Sequence, residues 1–89
     1  MERNTAVAAV SRGLTVYSRY GCHLCDDMLQ VLARLQHVLD FEITVLDVDN
    51  DPELAARYGD RVPVLLAGDT ELCCHFLDED SLREYYRGS

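Results

Sequence analysis

Directly after the short apolar run Leu14-Thr15-Val16-Tyr17 come Cys22-His23-Leu24-Cys25, and there the hydrophobic spacing changes from that of a strand to that of a helix. Met28, Val31, Leu32, Leu35 and Leu39 recur every three or four positions, while Asp26, Gln30, Arg34 and His37 fall largely on the other side. This pattern predicts an amphipathic helix of about four turns lying on a sheet. Glu42-Ile43-Thr44-Val45-Leu46-Asp47-Val48 then alternates and is rich in β-branched residues, which predicts a second strand. A helix between two strands makes them parallel and joins them by a right-handed crossover. The first cysteine therefore lands where a helix begins, beside free N–H groups and roughly half a positive charge. That setting lowers a thiol's pKa from about 8.5 toward neutrality, and the thiolate is the reactive species. Two such thiols can close and reopen a small disulfide ring, or supply two ligands to a metal.

The rest of the chain extends the alternation of strand and helix. Asp51 can cap a helix, Pro52 suits its first position and Glu53 favours its positive end. Leu54 to Tyr58 continues that short helix until Gly59. Val62-Pro63-Val64-Leu65-Leu66 reads as a third strand, Gly68-Asp69 as a turn, and Thr70 to Phe76 as a fourth strand, the third strand's hairpin partner. Asp78 caps a last helix through Leu82, Tyr85 and Tyr86. The order β-α-β-α-β-β-α predicts one α/β domain with a four-stranded mixed sheet and helices on both faces. Residues 1–12 read as a flexible N-terminal tail and 13–89 as the folded domain. Repeats, linkers and low-complexity segments are absent from the sequence.

Composition narrows the function. A chain of 89 residues buries somewhat over roughly 60% of its unfolded surface, enough for one core and not two. Sixteen acidic residues stand against eight arginines and no lysine, for a net charge of −8. No nucleic acid is expected as a partner, because phosphate binding needs a basic face, and an anionic membrane surface is disfavoured for the same reason. Nothing approaches the roughly 18 continuous apolar residues of a membrane span. The opening Met1 to Val10 has an early acid and too short an apolar stretch for a signal peptide. A cytoplasmic location and a monomer are the expectation. Thiols are kept reduced in the cytoplasm, so catalytic or metal-binding cysteines are favoured over structural disulfides.

Cys22-His23-Leu24-Cys25 after the first strand, Val62-Pro63 opening the third, and the order of elements together resemble the glutaredoxin-like branch of the thioredoxin fold. The resemblance runs from Leu14 to Tyr86 and looks closest to small bacterial glutaredoxin-like proteins. It implies that Cys22 is the exposed attacking thiol and Cys25 the buried resolving thiol. It also implies a cis Pro63 beside the cysteines, with the Val62 backbone pairing to a bound substrate. Glutaredoxins that bind glutathione usually carry a basic residue just before the first cysteine and a Gly-Gly-x-Asp-like turn after the fourth strand. Here the leading position offers Arg19, and the later turn is the bulky Cys73-Cys74-His75-Phe76-Leu77-Asp78. Asp26 and Asp27 add two negative charges behind the thiols, and only Arg19 and Arg61 are placed to pair with glutathione's carboxylates. Weak glutathione binding is therefore expected, with a protein disulfide or thiol as the partner. The activity implied is thiol–disulfide exchange without a cofactor. The alternative is a non-catalytic thioredoxin-like module that binds a protein through the Val62-Pro63 edge.

Around this pair, the substrate-facing candidates are Tyr20, His23, Arg61, Val62 and Pro63. His23 has two readings, an imidazolium that stabilises the Cys22 thiolate or a solvent-facing bystander. Tyr20 is either a wall of a substrate groove or the cover of an edge. Cys73 and Cys74 are adjacent, so a strand points them to opposite faces, one expected buried and one exposed. A metal site joining them or His75 to Cys22 and Cys25 is not expected, because the second pair lacks ligand spacing and the fourth strand should lie away from the Cys22 end. The Asp47 to Asp51 run lacks the spaced glycine and distal glutamate of a calcium loop and reads as a strand end followed by a helix cap.

Overall fold

Leu14 and Val16 point to one side of strand β1 (Gly13–Ser18) and Tyr17 to the other, and both sides are covered by apolar residues from other elements. The computed structural model describes residues 12–87, so most of the proposed N-terminal tail lies outside the described residues. β1 pairs in parallel with β2 (Glu42–Asp47) and antiparallel with β3 (Val64–Ala67), which in turn pairs antiparallel with β4 (Thr70–Cys74). The sheet order is β2-β1-β3-β4. Helix α1 (His23–Leu35) makes the crossover from β1 to β2, α2 (Pro52–Tyr58) precedes β3, and α3 (Glu79–Arg87) follows β4. This is the α/β architecture of a thioredoxin-like fold.

The larger core lies between the sheet and the two longer helices. Met28, Leu32 and Leu35 of α1 and Leu82 and Tyr86 of α3 pack there with Leu14, Val16, Leu65 and Ala67. On the opposite face, Val48 and Tyr58 cover Val64 and Leu66, with the Tyr17 and Tyr58 rings 4.6 Å apart. Helices thus cover both faces of the sheet, and β3, buried at all four positions, is its most enclosed strand.

Several boundaries differ from the sequence reading: α1 ends at Leu35, short of Leu39, and local chemistry shifts three strand ends. β2 ends at Asp47, whose carboxylate accepts the Asp49 N–H and starts a 3-10 turn over Val48–Asn50. β3 begins at Val64, two residues later than expected, since Pro63 has no N–H to give a ladder. β4 stops at Cys74 because His75 takes a positive φ of 67°, a conformation that L side chains rarely adopt. β2 is an edge strand: Ile43 packs on the core, while Val45 and Leu46 are 47% and 42% exposed.

The helix caps follow the sequence. The Asp51 carboxylate accepts the Glu53 N–H ahead of Pro52, and the Asp78 carboxylate accepts both the N–H and the hydroxyl of Ser81. The Ser81 hydroxyl, and then its N–H, hold the Asp78 carboxyl below the usual range. A depressed carboxylate stabilises the fold above its unfolded pKa of about 3.9, and that stabilisation is lost as pH falls through the lower folded value. Asp78→Ala should therefore reduce the melting temperature at neutral pH, with the gap to the parent narrowing as pH falls below the ordinary carboxylate range. Parallel melts across that range check this, and a gap independent of pH would contradict it.

Candidate active site

Arg19-Tyr20-Gly21 carries the chain from the end of β1 to the start of α1. Gly21 takes a positive φ of 78°, which a side chain would resist, and the Cys22 N–H donates to the Arg19 carbonyl at 3.2 Å. Cys22 is then the N-cap of α1, in extended backbone conformation, with its Sγ accepting the Cys25 N–H at 3.1 Å. Cys22 and Cys25 are joined by a disulfide across a Cα–Cα distance of 5.2 Å. Their surroundings differ. Cys25, one turn into an amphipathic helix, is 2% exposed, whereas Cys22 is half-buried at the helix end.

The loop that delivers Cys22 is tied down by Arg19. Its guanidinium donates two hydrogen bonds of 3.0 Å to the Asp49 carboxylate and a third, of 3.2 Å, to the Gly59 carbonyl. The hydrogen bond and charge of Asp49 push the Arg19 pKa up. A Cβ at Gly59 would run into the Ala55 carbonyl oxygen and would also lie 2.9 Å from the Arg19 Nη2. Arg61 donates to Glu71 at 2.6 Å and lies over the Tyr58 ring, 5.2 Å from its centre. The two arginines that the sequence offered to glutathione's carboxylates are thus each paired with a carboxylate of this chain.

The Val62–Pro63 bond is cis, Pro63 is buried, and Val62 packs on the smaller core. The Pro63 carbonyl accepts the His75 N–H at 2.8 Å. Pairing of Tyr17 with Val64, and of Val64 with Cys74, aligns the end of β1, the start of β3 and the end of β4. The end of β4 thus lies at the Cys22 end of the sheet, contrary to the sequence expectation, because an antiparallel hairpin returns the chain to the edge that β3 left. Cys73 and Cys74 do point to opposite faces, Cys73 toward the larger core and Cys74 toward the smaller. Neither is fully buried or exposed; both are half-buried, since β4 is an edge strand. Burial pushes the Cys73 thiol pKa up. Among the described residues, no group of three or more His, Cys, Asp or Glu side chains is gathered for a metal.

Of the remaining candidates, His23 is the exposed first residue of α1, and Tyr20 is 95% exposed on the loop before Cys22. Sequence reasoning missed a groove of 220 Å³ between α1 and the turn after β4. Leu24, Asp27, Met28 and Val31 line one side, and His75, Phe76, Leu77 and Glu79 the other. Its only sequence signal was the bulk of Phe76-Leu77 in a turn that glutaredoxins usually keep small.

The family model described as Glutaredoxin-like domain (DUF836) matches residues 13–86. The solution NMR structure of a Nitrosomonas europaea protein is 42% identical, with a TM-score of 0.78, over 96% of this chain and 98% of that one. An uncharacterised protein of Mycobacterium tuberculosis is 37% identical over 71 residues, 74% of this chain and 73% of the relative. Thioredoxin 1 of Thermosipho africanus, 19% identical with a TM-score of 0.58 over 84% of this chain and 94% of its own, shares the fold. A paired, unequally buried dithiol at the head of α1, in a chain with these relatives, is that of a member of the glutaredoxin-like (DUF836) family.

Proposed function

We propose that this protein is a cytoplasmic thiol–disulfide oxidoreductase in which Cys22 attacks and Cys25 resolves. The observation that carries the reading is the unequal burial of two disulfide-bonded cysteines at a helix N-terminus. In the reduced protein, the Cys22 thiolate attacks one sulfur of a substrate disulfide. A Cys22–substrate disulfide forms, and the other substrate sulfur leaves as a thiolate that takes up a proton. Cys25 then gives up its proton and attacks Cys22, closing the internal disulfide and expelling the second substrate thiol. Two electrons and two protons pass from protein to substrate, and the direction depends on the two reduction potentials. The free N–H groups at the start of α1 favour the thiolate at Cys22. His23 and Tyr20 flank the approach, and Val62, ahead of the buried Pro63, offers its backbone to an incoming segment. Turnover of a small uncharged disulfide by the reduced protein tests the reading. No turnover would leave a non-catalytic binding module.

The substrate we propose is a protein disulfide or thiol rather than glutathione. Arg19 is held by Asp49 and Arg61 by Glu71, Asp26 and Asp27 stand exposed behind the thiols, and the net charge is −8. An anionic tripeptide meets an unfavourable field and no unpaired arginine at either position. Glutathione should bind with a millimolar or weaker Kd, no more than about 4 kcal/mol. Titration followed by NMR shifts at Arg19, Val62 and Asp78 measures it, and saturation in the micromolar range would refute the prediction.

A further inference from the structure

The groove between α1 and the turn after β4 starts within the dithiol segment itself, since Leu24 lines it and lies between the two cysteines. Its walls are apolar: Leu24, Met28 and Val31 from the helix, Phe76 and Leu77 from the turn. The turn is held in an unusual shape. The Phe76 N–H donates to the Cys74 carbonyl at 2.7 Å across His75, whose φ is 67°, giving a three-residue γ-turn of the rare positive-φ kind. Two further hydrogen bonds fix it, from the His75 N–H to the Pro63 carbonyl and between His75 Nε2 and the Asp60 carbonyl. A strained turn anchored at both sides thus presents Phe76, which stays 69% exposed. The rim is acidic. Asp27 and Glu79 belong to the lining, no lysine or arginine does among the described residues, and Glu79 meets Arg83 at 3.5 Å in an exposed pair.

We propose that this groove docks the partner protein's segment around its reactive cysteine, taking an apolar side chain next to that cysteine and selecting a lysine or arginine beside it. The proposal deepens the reading of Cys22 as the attacking thiol and rests on it for its consequence in rate. Apolar walls accept the side chain, and the rim carboxylates, exposed Asp27 first among them, choose the sign of its neighbour in a protein with net charge −8. A second copy of this chain would bring the same acidic rim to its own and is disfavoured as the occupant.

Short peptides carrying one cysteine, activated as a mixed disulfide with an aromatic thiol, test this against the reduced Cys25→Ser protein. Attack by Cys22 on the peptide sulfur forms the Cys22–peptide disulfide and releases the coloured aromatic thiolate. Rates are divided by each protein's rate with a small uncharged disulfide. The Leu-Lys peptide should react about tenfold or more faster than its Ser-Lys counterpart, as expected for seating an apolar side chain. It should outpace Leu-Glu by about two- to fivefold at low salt, an advantage that salt erases. Phe76→Ser should erase the leucine preference, and Asp27→Lys should reverse the charge preference. Equal normalised rates for all peptides, with the small disulfide still exchanged, would overturn the groove and leave the redox reading standing. If Cys22 reacts with nothing, the redox reading fails, and a Leu-Lys peptide with serine for cysteine then decides the groove alone. NMR shifts at Leu24, Val31 and Leu77 on adding that peptide support docking, and unchanged resonances refute it. Dilution-dependent shifts at the same residues without peptide would assign the groove to self-association instead.

Discussion

Cys22→Ser should abolish disulfide exchange, while Cys25→Ser should still form the mixed disulfide and then stall. The difference follows from where the two sulfurs lie. Cys22 Sγ caps α1 at the helix end and is half-buried; Cys25 is 2% exposed beneath it. A substrate disulfide can meet Cys22 in line, but it can meet Cys25 only by displacing core side chains. A serine hydroxyl at position 22 has the geometry but is scarcely ionised at neutral pH, so the nucleophile is lost and turnover falls to background. A serine at position 25 removes only the second attack. Mass spectrometry of each reduced variant with a small disulfide, the adduct mapped by peptide to separate it from Cys73 and Cys74, checks this: adduct at positions 22–25 should accumulate on Cys25→Ser and be missing from Cys22→Ser. Equal loss of adduct in both would contradict the assignment of attacker and resolver.

Much of this site could be read from the chain because its parts are local. The step from period two to period 3.6 after Tyr17 locates the strand-to-helix junction, and with it the sulfur that caps the helix. The caps at Asp51 and Asp78 were legible for the same reason, since each bonds a group two or three residues on. What escaped depends on distant partners. Arg19 lies thirty positions from Asp49 and forty from Gly59, so nothing nearby announces that its charge is already taken. The end of β4 was misplaced because its position depends on the hairpin register with Val64, not on its own sequence. Phe76 reads as one more strand residue, and only the left-handed His75 turns it out to form a groove wall with α1. The fold was therefore legible from periodicity, and the paired cysteines from their spacing, but the surroundings of the pair depend on contacts made across the sheet.

The helix that carries both thiols is held by its buried face, and Leu32→Ala should loosen that hold more than any surface change on the same helix. Leu32 is fully enclosed, with Met28 and Leu35 on its own helix and Leu14, Val16 and Leu65 of the sheet in the same core. Truncating a leucine to alanine in such a place removes buried methyl groups and leaves a cavity, at a cost of about 2–5 kcal/mol. Small domains hold only about 5–15 kcal/mol in all, so the loss is a substantial part of what keeps the fold together. The melting temperature should fall by about 8 °C or more, as about 4–8 °C accompanies each kcal/mol in a domain of this size. Arg34→Ala, exposed on the opposite side of α1, is the control and should change stability by under about 0.5 kcal/mol. Leu32 follows Cys25 by nearly two turns, about 10 Å along the helix, so well below its melting temperature the variant should still exchange disulfides. Calorimetry and single-turnover exchange on the same samples separate the two effects. A Leu32→Ala protein as stable as Arg34→Ala would mean that α1 is not seated on the sheet through this face.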